Sequence, residues 1–214
     1  MRVVSFDVWG TLLRIDLMLE RIEAEVSRLS GLEAGVVRSA FKSARRRAKD
    51  MRLRGELLPM EAVDVCQGLF ASELGVDVEV IKRACARVVA FADESLLVPG
   101  AVEALRLAKD RCRVACLGNV QFWPSSQTRV MMERLGLSDY IDRHFFSDET
   151  GVFKPDRGAF MKVAEHFGVE PSEMLHVGDR ELEDFKGATD AGLSALLVDP
   201  SRPLDEQLRE FLAG

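Results

Sequence analysis

The chain has 214 residues, enough for one large domain or for a core with a smaller companion, because domains average about 150 residues. Its 47% hydrophobic and 30% charged residues, with no dominant repeat, exclude collagen-like, disordered and membrane-spanning classes. The net charge of −6 argues against nucleic acid as a partner. No apolar run suffices for a membrane span, and Asp7 interrupts the apolar start that a signal peptide would need. We therefore expect a cytoplasmic protein that binds neither nucleic acid nor a membrane.

The first part of the chain to show a pattern is a short apolar run at residues 3–7, which has the length and β-branched composition of a buried strand. Similar runs follow at residues 113–117, 174–177 and 195–198. Segments with helical spacing of apolar residues, such as 102–109 and 160–167, precede these later runs. Because alternating strands and helices form parallel sheets, the sequence predicts an α/β fold with a doubly wound parallel sheet.

The strand–helix alternation stops between about Arg14 and Leu97, where apolar residues recur at helical spacing only. Glycines and a proline divide this segment into about four helices: Gly31, Gly55 with Pro59, and Gly75. Pro99-Gly100 marks the return to the α/β pattern. We therefore expect a core formed by residues 1–14 and 97–214, with an all-helical subdomain at residues 15–96 inserted into it.

The four cysteines, Cys66, Cys85, Cys112 and Cys116, contain no CxxC pair and no metal-type spacing with histidine. We expect buried thiols at all four positions. A disulfide between Cys66 and Cys85 stays open as an alternative.

Polar residues follow the predicted strands at their carboxyl ends, where open parallel sheets bind ligands. These residues are Asp7, Gly10 and Thr11 after the first strand, Gly118 and Asn119 after the second, and Gly178, Asp179 and Asp184 after a later one. Lys154 lies in a loop just before a predicted helix. Acids, a lysine and glycine turns at one edge of a sheet predict a site for a cation and an anionic substrate.

Four segments in this order resemble the motifs of the haloacid dehalogenase superfamily, and the resemblance covers the whole chain. They are Phe6-Asp7-Val8-Trp9-Gly10-Thr11, Leu117-Gly118-Asn119, Phe153-Lys154-Pro155-Asp156, and Gly178-Asp179 through Asp184 to Gly187-Ala188. The resemblance implies a Rossmann-like core with a helical cap inserted after the first motif. It also implies a hydrolase, most commonly a magnesium-dependent phosphatase that acts on a small phosphorylated metabolite.

Carried over by position, the resemblance makes Asp7 the nucleophile that forms an aspartyl-phosphate, with Lys154 balancing charge at the nucleophile and the transferred group. Mg²⁺ would be held by Asp7, the backbone carbonyl of Trp9, Asp179 and Asp184. The substrate phosphate would contact Gly10, Thr11, Gly118, Asn119 and Lys154.

Two positions depart from a standard phosphatase of this family. Trp9 stands where a second aspartate usually protonates the leaving group, so we expect slow turnover. Gly118 replaces the usual serine or threonine.

An aromatic residue at position 9 also resembles the family's 2-haloacid dehalogenases, although those lack the first acid of the fourth motif, which is Asp179 here. A non-catalytic binding module that keeps the fold is the third alternative.

A basic cluster in the helical insertion contains Arg38, Lys42, Arg45, Arg46, Arg47, Lys49, Arg52 and Arg54. Such runs commonly form a solvated helix face. If the helix tilts toward the core, one or two of these arginines would bind a second anionic group of the substrate.

Phe122 and Trp123 either shape the entrance to the site or serve ordinary packing. No role is assigned to the three histidines.

Overall fold

The computed structural model describes residues 1–214 and contains one parallel sheet of five strands. The strands are β1 (Val3–Phe6), β2 (Arg113–Gly118), β3 (Arg143–Phe146), β4 (Met174–Gly178) and β5 (Ser194–Leu197). Their order in the sheet is β3-β2-β1-β4-β5, and every neighbouring pair is parallel. This architecture confirms the predicted Rossmann-like α/β class and places β1 at the centre.

Ten α-helices connect or flank the strands. They are α1 (Ile15–Ser30), α2 (Ala34–Leu53), α3 (Ala62–Leu74), α4 (Val78–Ala90), α5 (Ala101–Lys109), α6 (Ser125–Arg134), α7 (Ser147–Thr150), α8 (Arg157–Phe167), α9 (Gly187–Asp190) and α10 (Leu204–Ala213). A π-helical segment, Glu181–Lys186, precedes α9. No helix combines the length and apolarity that crossing a membrane requires.

The central strand is buried on both faces, which explains its continuous apolar sequence. Side chains alternate between the two faces of a strand. Val4 and Phe6 accordingly join the larger apolar cluster, which extends into the inserted helices, whereas Val3 joins a smaller cluster with Phe160 and Val163 of α8. Helices therefore cover the sheet on both sides.

The sequence patterns did not predict β3, which lies at an edge of the sheet. Its first two residues, Arg143 and His144, are not buried, and only Phe145 and Phe146 face apolar neighbours. A strand with one partner and two apolar residues lacks the continuous apolar run of the central strands. The local pattern is therefore too short to identify it.

The chain leaves and re-enters the sheet region through two adjacent segments. The backbone amide of Arg14 donates to the carbonyl of Leu96 at 2.8 Å, and the amide of Val98 donates to the carbonyl of Leu12 at 3.0 Å. Between them, α1 packs on α4 and α2 packs on α3. We propose that residues 15–96 form the cap and that residues 1–14 and 97–214 form the core, because the two parts are joined at this crossing.

All four cysteines are free thiols. Cys66, Cys85 and Cys116 are buried as expected, and the alternative disulfide between Cys66 and Cys85 is not formed. Cys112 is only partly buried, because it lies in the surface turn between α5 and β2. Burial raises the pKa of Cys66 and of Cys85 to about 12, so neither thiol is a reactive thiolate at neutral pH.

Candidate active site

A buried lysine joins two acids at the carboxyl edge of the sheet. Lys154 Nζ donates to Asp7 Oδ1 at 2.7 Å and to Asp184 Oδ1 at 2.6 Å. Asp7 directly follows β1, and its amide extends the ladder by donating to the carbonyl of Val177 in β4. The Lys154 side chain is 1% exposed, so its charge is compensated by these carboxylates and hardly by solvent.

Asp184 is held in place from three directions. Besides Lys154, it accepts from the backbone amide of Arg180 at 2.9 Å and lies 3.2 Å from His176 Nε2. Because the carboxylate can only accept, His176 carries its proton on Nε2 and accepts from the Ser5 hydroxyl through Nδ1 at 2.8 Å. Burial lowers the pKa of His176, in keeping with a neutral ring.

His176 and Ser5 are site residues that the sequence analysis missed. They are direct neighbours in the register of β1 and β4, which is why they can bond across the two strands. The available signal was a single polar residue in the middle of each buried apolar strand. Buried polar groups require partners, so two such residues on adjacent strands indicate a hydrogen-bonded pair.

Asp179 lies against the loop that follows β1. A Cβ on Gly10 would lie 2.5 Å from Asp179 Oδ2, and Gly10 has a φ of +101° that favours glycine. Asp179 Oδ1 is buried and has no hydrogen-bond partner in the chain. Glycine at position 10 therefore allows a carboxylate to approach the backbone closely while one of its oxygens lacks a partner.

Oxygen atoms of Asp7, Asp179 and Asp184 all lie within 4.8 Å of one another. Hard carboxylate oxygens are the ligands that Mg²⁺ prefers. The backbone carbonyl of Trp9 accepts no backbone hydrogen bond, so it too is free. The unpartnered Asp179 oxygen and this donor set fit a divalent cation, and these four residues would hold it.

The charges of the cluster are not balanced by the chain alone. Burial, with smaller contributions from the charges of Asp184 and Asp179, raises the pKa of Asp7 to about 7 against the opposing charge of Lys154. Burial also raises the pKa of Asp179. Burial acts in the same direction on Asp184, but Lys154 and His176 outweigh it and hold the pKa of Asp184 well below its usual range. Asp7 is thus the carboxylate whose ionisation most needs an additional cation.

The side chain of Asn119 is hydrogen-bonded to the backbone of Lys154 and fixes its position. Its Nδ2 donates to the Lys154 carbonyl at 2.9 Å, and its Oδ1 accepts from the Lys154 amide at 2.8 Å. Both ends of the side-chain amide are therefore engaged by one residue. Asn119 also borders a cleft that opens above Asp7 between core and cap.

Gly118 and Thr11 lie apart from that cleft. A Cβ on Gly118 would lie 3.1 Å from the ring of Phe146, so a larger residue at this position requires Phe146 to move. Thr11 is buried, and its hydroxyl has no hydrogen-bond partner. Neither residue lines the cleft, in contrast to Asp7, Trp9 and Asn119.

A cleft of about 430 Å³ opens above Asp7 between core and cap. Its apolar wall includes Trp9 and Trp123, whose rings meet edge to face with centroids 4.9 Å apart. Phe122 is largely buried and packs on Phe41 of α2. Phe122 and Trp123 therefore serve both of the functions considered from sequence, because each is packed and each lines the cleft.

An ion pair connects the cap to the core beside the site. Arg52 at the end of α2 bonds to Glu183 in the π-helical segment, next to Asp184. The Arg52 guanidinium also lies 5.6 Å from the centre of the Phe153 ring, just before Lys154. Arg52 and Glu183 are 131 residues apart in sequence, so no local pattern indicates their contact.

The chain combines a parallel α/β sheet, a helical insertion and an acid–lysine cluster at the carboxyl edge of the sheet. The profile of the haloacid dehalogenase-like hydrolase family matches residues 1–192, and the chain belongs to this family. A ribulose-1,5-bisphosphate 5-phosphatase from Halopiger xanaduensis is 35% identical over 117 residues, 54% of this chain and 48% of that protein. The chain spans half or less of the length of the first curated relatives it matches.

Solved structures share the fold at low sequence identity. The magnesium-bound putative HAD-hydrolase YfnB from Bacillus subtilis superposes with a TM-score of 0.82 at 18% identity, covering 100% of this chain and 99% of that one. A 2-haloacid dehalogenase from Pseudomonas syringae pv. Tomato superposes with a TM-score of 0.70 at 18% identity, covering 100% and 98%. These likenesses establish the architecture, not the reaction.

Proposed function

We propose that this hydrolase is a magnesium-dependent phosphatase that acts on a small phosphorylated metabolite through an aspartyl-phosphate at Asp7. The observation that carries the proposal is the convergence of Asp7, Asp179 and Asp184 around one point, with Lys154 bonded to both Asp7 and Asp184. The match to a sugar-phosphate phosphatase over half of the chain supports the same substrate class.

In the first step, an Asp7 carboxylate oxygen forms a bond to phosphorus while the bond from phosphorus to the leaving oxygen breaks. In the second step, water attacks the aspartyl-phosphate, which releases inorganic phosphate and restores Asp7. Bound Mg²⁺ would supply positive charge between the anionic nucleophile and the phosphate. Lys154, already bonded to Asp7, stabilises the charge that spreads over the phosphoryl oxygens.

Asn119, His176 and the Arg180 amide act through their neighbours in this scheme. Asn119 holds the backbone of Lys154, while His176 and the Arg180 amide orient Asp184. Such supporting contacts keep reacting groups within a few tenths of an ångström of the productive geometry. They are positioning residues, because none of them bonds to Asp7.

Trp9 determines the expected kinetics. An indole N–H does not transfer a proton to a leaving group or accept one from water, and general acid–base catalysis typically contributes about 10²- to 10⁴-fold. An ester with a good leaving group needs little protonation, so its first step is affected less than the attack of water. We therefore expect the aspartyl-phosphate to accumulate with such a substrate.

The proposal is tested with p-nitrophenyl phosphate and 2-chloropropionate, each with and without Mg²⁺. We expect a burst of about one p-nitrophenolate per enzyme followed by slow turnover, only with Mg²⁺. Metal-independent chloride release would instead identify a 2-haloacid dehalogenase, the alternative that the aromatic residue at position 9 favours. Magnesium binding without turnover of either compound would identify a non-catalytic module.

Restoring an acid at position 9 should speed the hydrolysis of poor leaving groups. We expect Trp9→Asp to raise kcat for glycerol 3-phosphate by about 10-fold or more, and to raise the first step for p-nitrophenyl phosphate much less. Trp9→Asn is the matched control, because it also removes the contact with Trp123 but provides no titratable group. An equal gain in both variants, or a loss in Trp9→Asp, would show that the indole itself is required.

Magnesium affinity should depend on pH through Asp7. With its pKa raised to about 7, Asp7 is protonated below that pH in the metal-free protein, and a cation must displace this proton. We expect affinity to fall by up to about 10-fold per pH unit below 7 and to level off above pH 8. Calorimetry in buffers of different ionisation enthalpy counts the released proton. In Asp7→Asn, the magnesium affinity should no longer depend on pH in this range. A pH-independent magnesium affinity of the wild type would contradict the role assigned to Asp7.

A further inference from the structure

Three cations of the cap face the cleft without a partner. Arg45, Arg46 and Lys49 on α2 line the same cleft as Asp7, and none of them forms an ion pair. Three of the other basic residues of this helix are neutralised, whereas Lys42 is not. Arg38 pairs with Glu23, Arg47 with Glu73, and Arg52 with Glu183. Three of the four unpaired cations of α2 thus line the cleft, and the fourth, Lys42, does not.

The core adds positive charge to the same space. Arg180 lines the cleft opposite α2, and its guanidinium lies 3.5 Å from Asp179. Partial burial and the nearby charge of Arg180 lower the pKa of Arg45, while Glu23, already paired with Arg38, compensates only weakly. Two guanidinium groups kept near each other across a cleft are stabilised by an anion between them.

The cleft is therefore polarised along its depth. Its floor at Asp7 belongs to the acidic cluster, and its roof is cationic. The proposed magnesium site and Lys154 serve the phosphate at the floor. The unpaired cations of the cap are therefore available to bind a different part of the substrate. A volume of about 430 Å³ lies within the range of small-molecule sites and holds a small metabolite with charged groups at both ends.

We propose that the preferred substrate carries a second anionic group, a phosphate or a carboxylate, that binds Arg45, Arg46 and Lys49 while its phosphomonoester lies at Asp7. This inference rests on the proposed phosphatase function and specifies its substrate class. Arginine suits the role because its planar fork binds phosphate or carboxylate through two parallel hydrogen bonds. The cap thereby selects for charge at the far end of the substrate.

The test compares matched phosphate esters that differ only in the distant group. Ribulose 1,5-bisphosphate is paired with ribulose 5-phosphate, and 3-phosphoglycerate with glycerol 3-phosphate. We expect kcat/KM to be about 10-fold or more higher for one or both doubly anionic members, and the pair that shows it identifies phosphate or carboxylate. Arg45→Gln and Arg46→Gln should each lower this ratio by about 10-fold, mainly through KM.

Arg47→Gln is the control on the same helix, because Arg47 pairs with Glu73 away from the cleft. It should leave the ratio unchanged, and melting temperatures of all three variants verify that they fold. Equal losses for both members of each pair would overturn the inference, because the arginines would then serve the transferred phosphate. Wild-type kcat/KM ratios near one would also overturn the inference, but they would not contradict the phosphatase proposal. No turnover of any ester, p-nitrophenyl phosphate included, would overturn both.

Discussion

Asp7→Asn should abolish turnover and, at the same time, make the magnesium-free protein more stable. Asparagine keeps the shape of the side chain but is a far weaker nucleophile, so we expect kcat to fall by about 10⁴-fold or more. The stability gain follows from removing one negative charge from a cluster of three acids, of which a single buried lysine bridges only Asp7 and Asp184. Activity and stability thus change in opposite directions at this position.

The stability gain has a defined pH dependence. Because the pKa of Asp7 is raised in the folded state to about 7, the folded protein binds the proton more tightly than the unfolded chain. The stabilising protonation is present below about pH 4 and is lost as pH rises to 7. We therefore expect the melting temperature of Asp7→Asn minus that of the wild type, measured in EDTA, to increase between pH 4 and 7 and then stay constant.

Magnesium should reverse this difference, because a ligand that binds the folded wild type more tightly than the folded variant stabilises the wild type more. Asp190→Asn serves as a control, since Asp190 is exposed at the end of α9 and outside the cluster. That variant should retain activity and stay within about 0.5 kcal/mol of the wild type in stability. A destabilised Asp7→Asn in EDTA at pH 8 would contradict the electrostatic account of the site.

Lys154→Met should cost more stability than any other single change in the site. Methionine matches the length of the lysine stem but leaves Asp7 and Asp184 without their shared cation. Removing one partner of a buried ion pair typically costs about 3–5 kcal/mol. For a chain of this size, we expect the melting temperature to fall by about 10 °C. Loss of charge stabilisation at the phosphoryl group should also lower kcat by about 10²- to 10³-fold.

The double variant Lys154→Met with Asp7→Asn separates charge from packing. If the penalty comes from uncompensated carboxylates, removing one of them recovers part of the lost stability, and the two effects are not additive. Unfolding of all four proteins in EDTA at pH 8 completes the cycle. Strict additivity would indicate that Lys154 contributes through packing alone.

The sequence predicted the acidic cluster because its geometry follows from strand ends. Asp7 and Asp179 each come directly after a buried apolar run, and the carboxyl ends of parallel strands meet at one edge. Lys154 had no such signal, since a loop lysine has no periodicity. Its position in a loop before a predicted helix suggested the same edge of the sheet, and the resemblance of its motif connected it to Asp7. The hydrophobic patterns of the sequence also did not predict β3, an edge strand whose first two residues are polar.

Contacts between cap and core were beyond local patterns for a different reason. The pairing of Arg52 with Glu183 depends on how α2 lies over the sheet, and tertiary packing decides that orientation. The basic cluster likewise had no preferred face in the sequence. The structure divides it into paired residues such as Arg47 and unpaired residues such as Arg45 that line the cleft. Charge composition predicts a solvated helix, whereas the position of the helix determines which charges remain unpaired.

The central claim is that Asp7, Asp179 and Asp184 share one divalent cation. The most direct measurement is the anomalous diffraction of a crystal grown with Mn²⁺, which binds the same oxygen ligands as Mg²⁺. We predict a single strong peak within bonding distance of Asp7 and Asp179, with Asp184 bonded to it directly or through water. No peak at this edge of the sheet, with the Asp179 side chain turned away to another partner, would contradict the account.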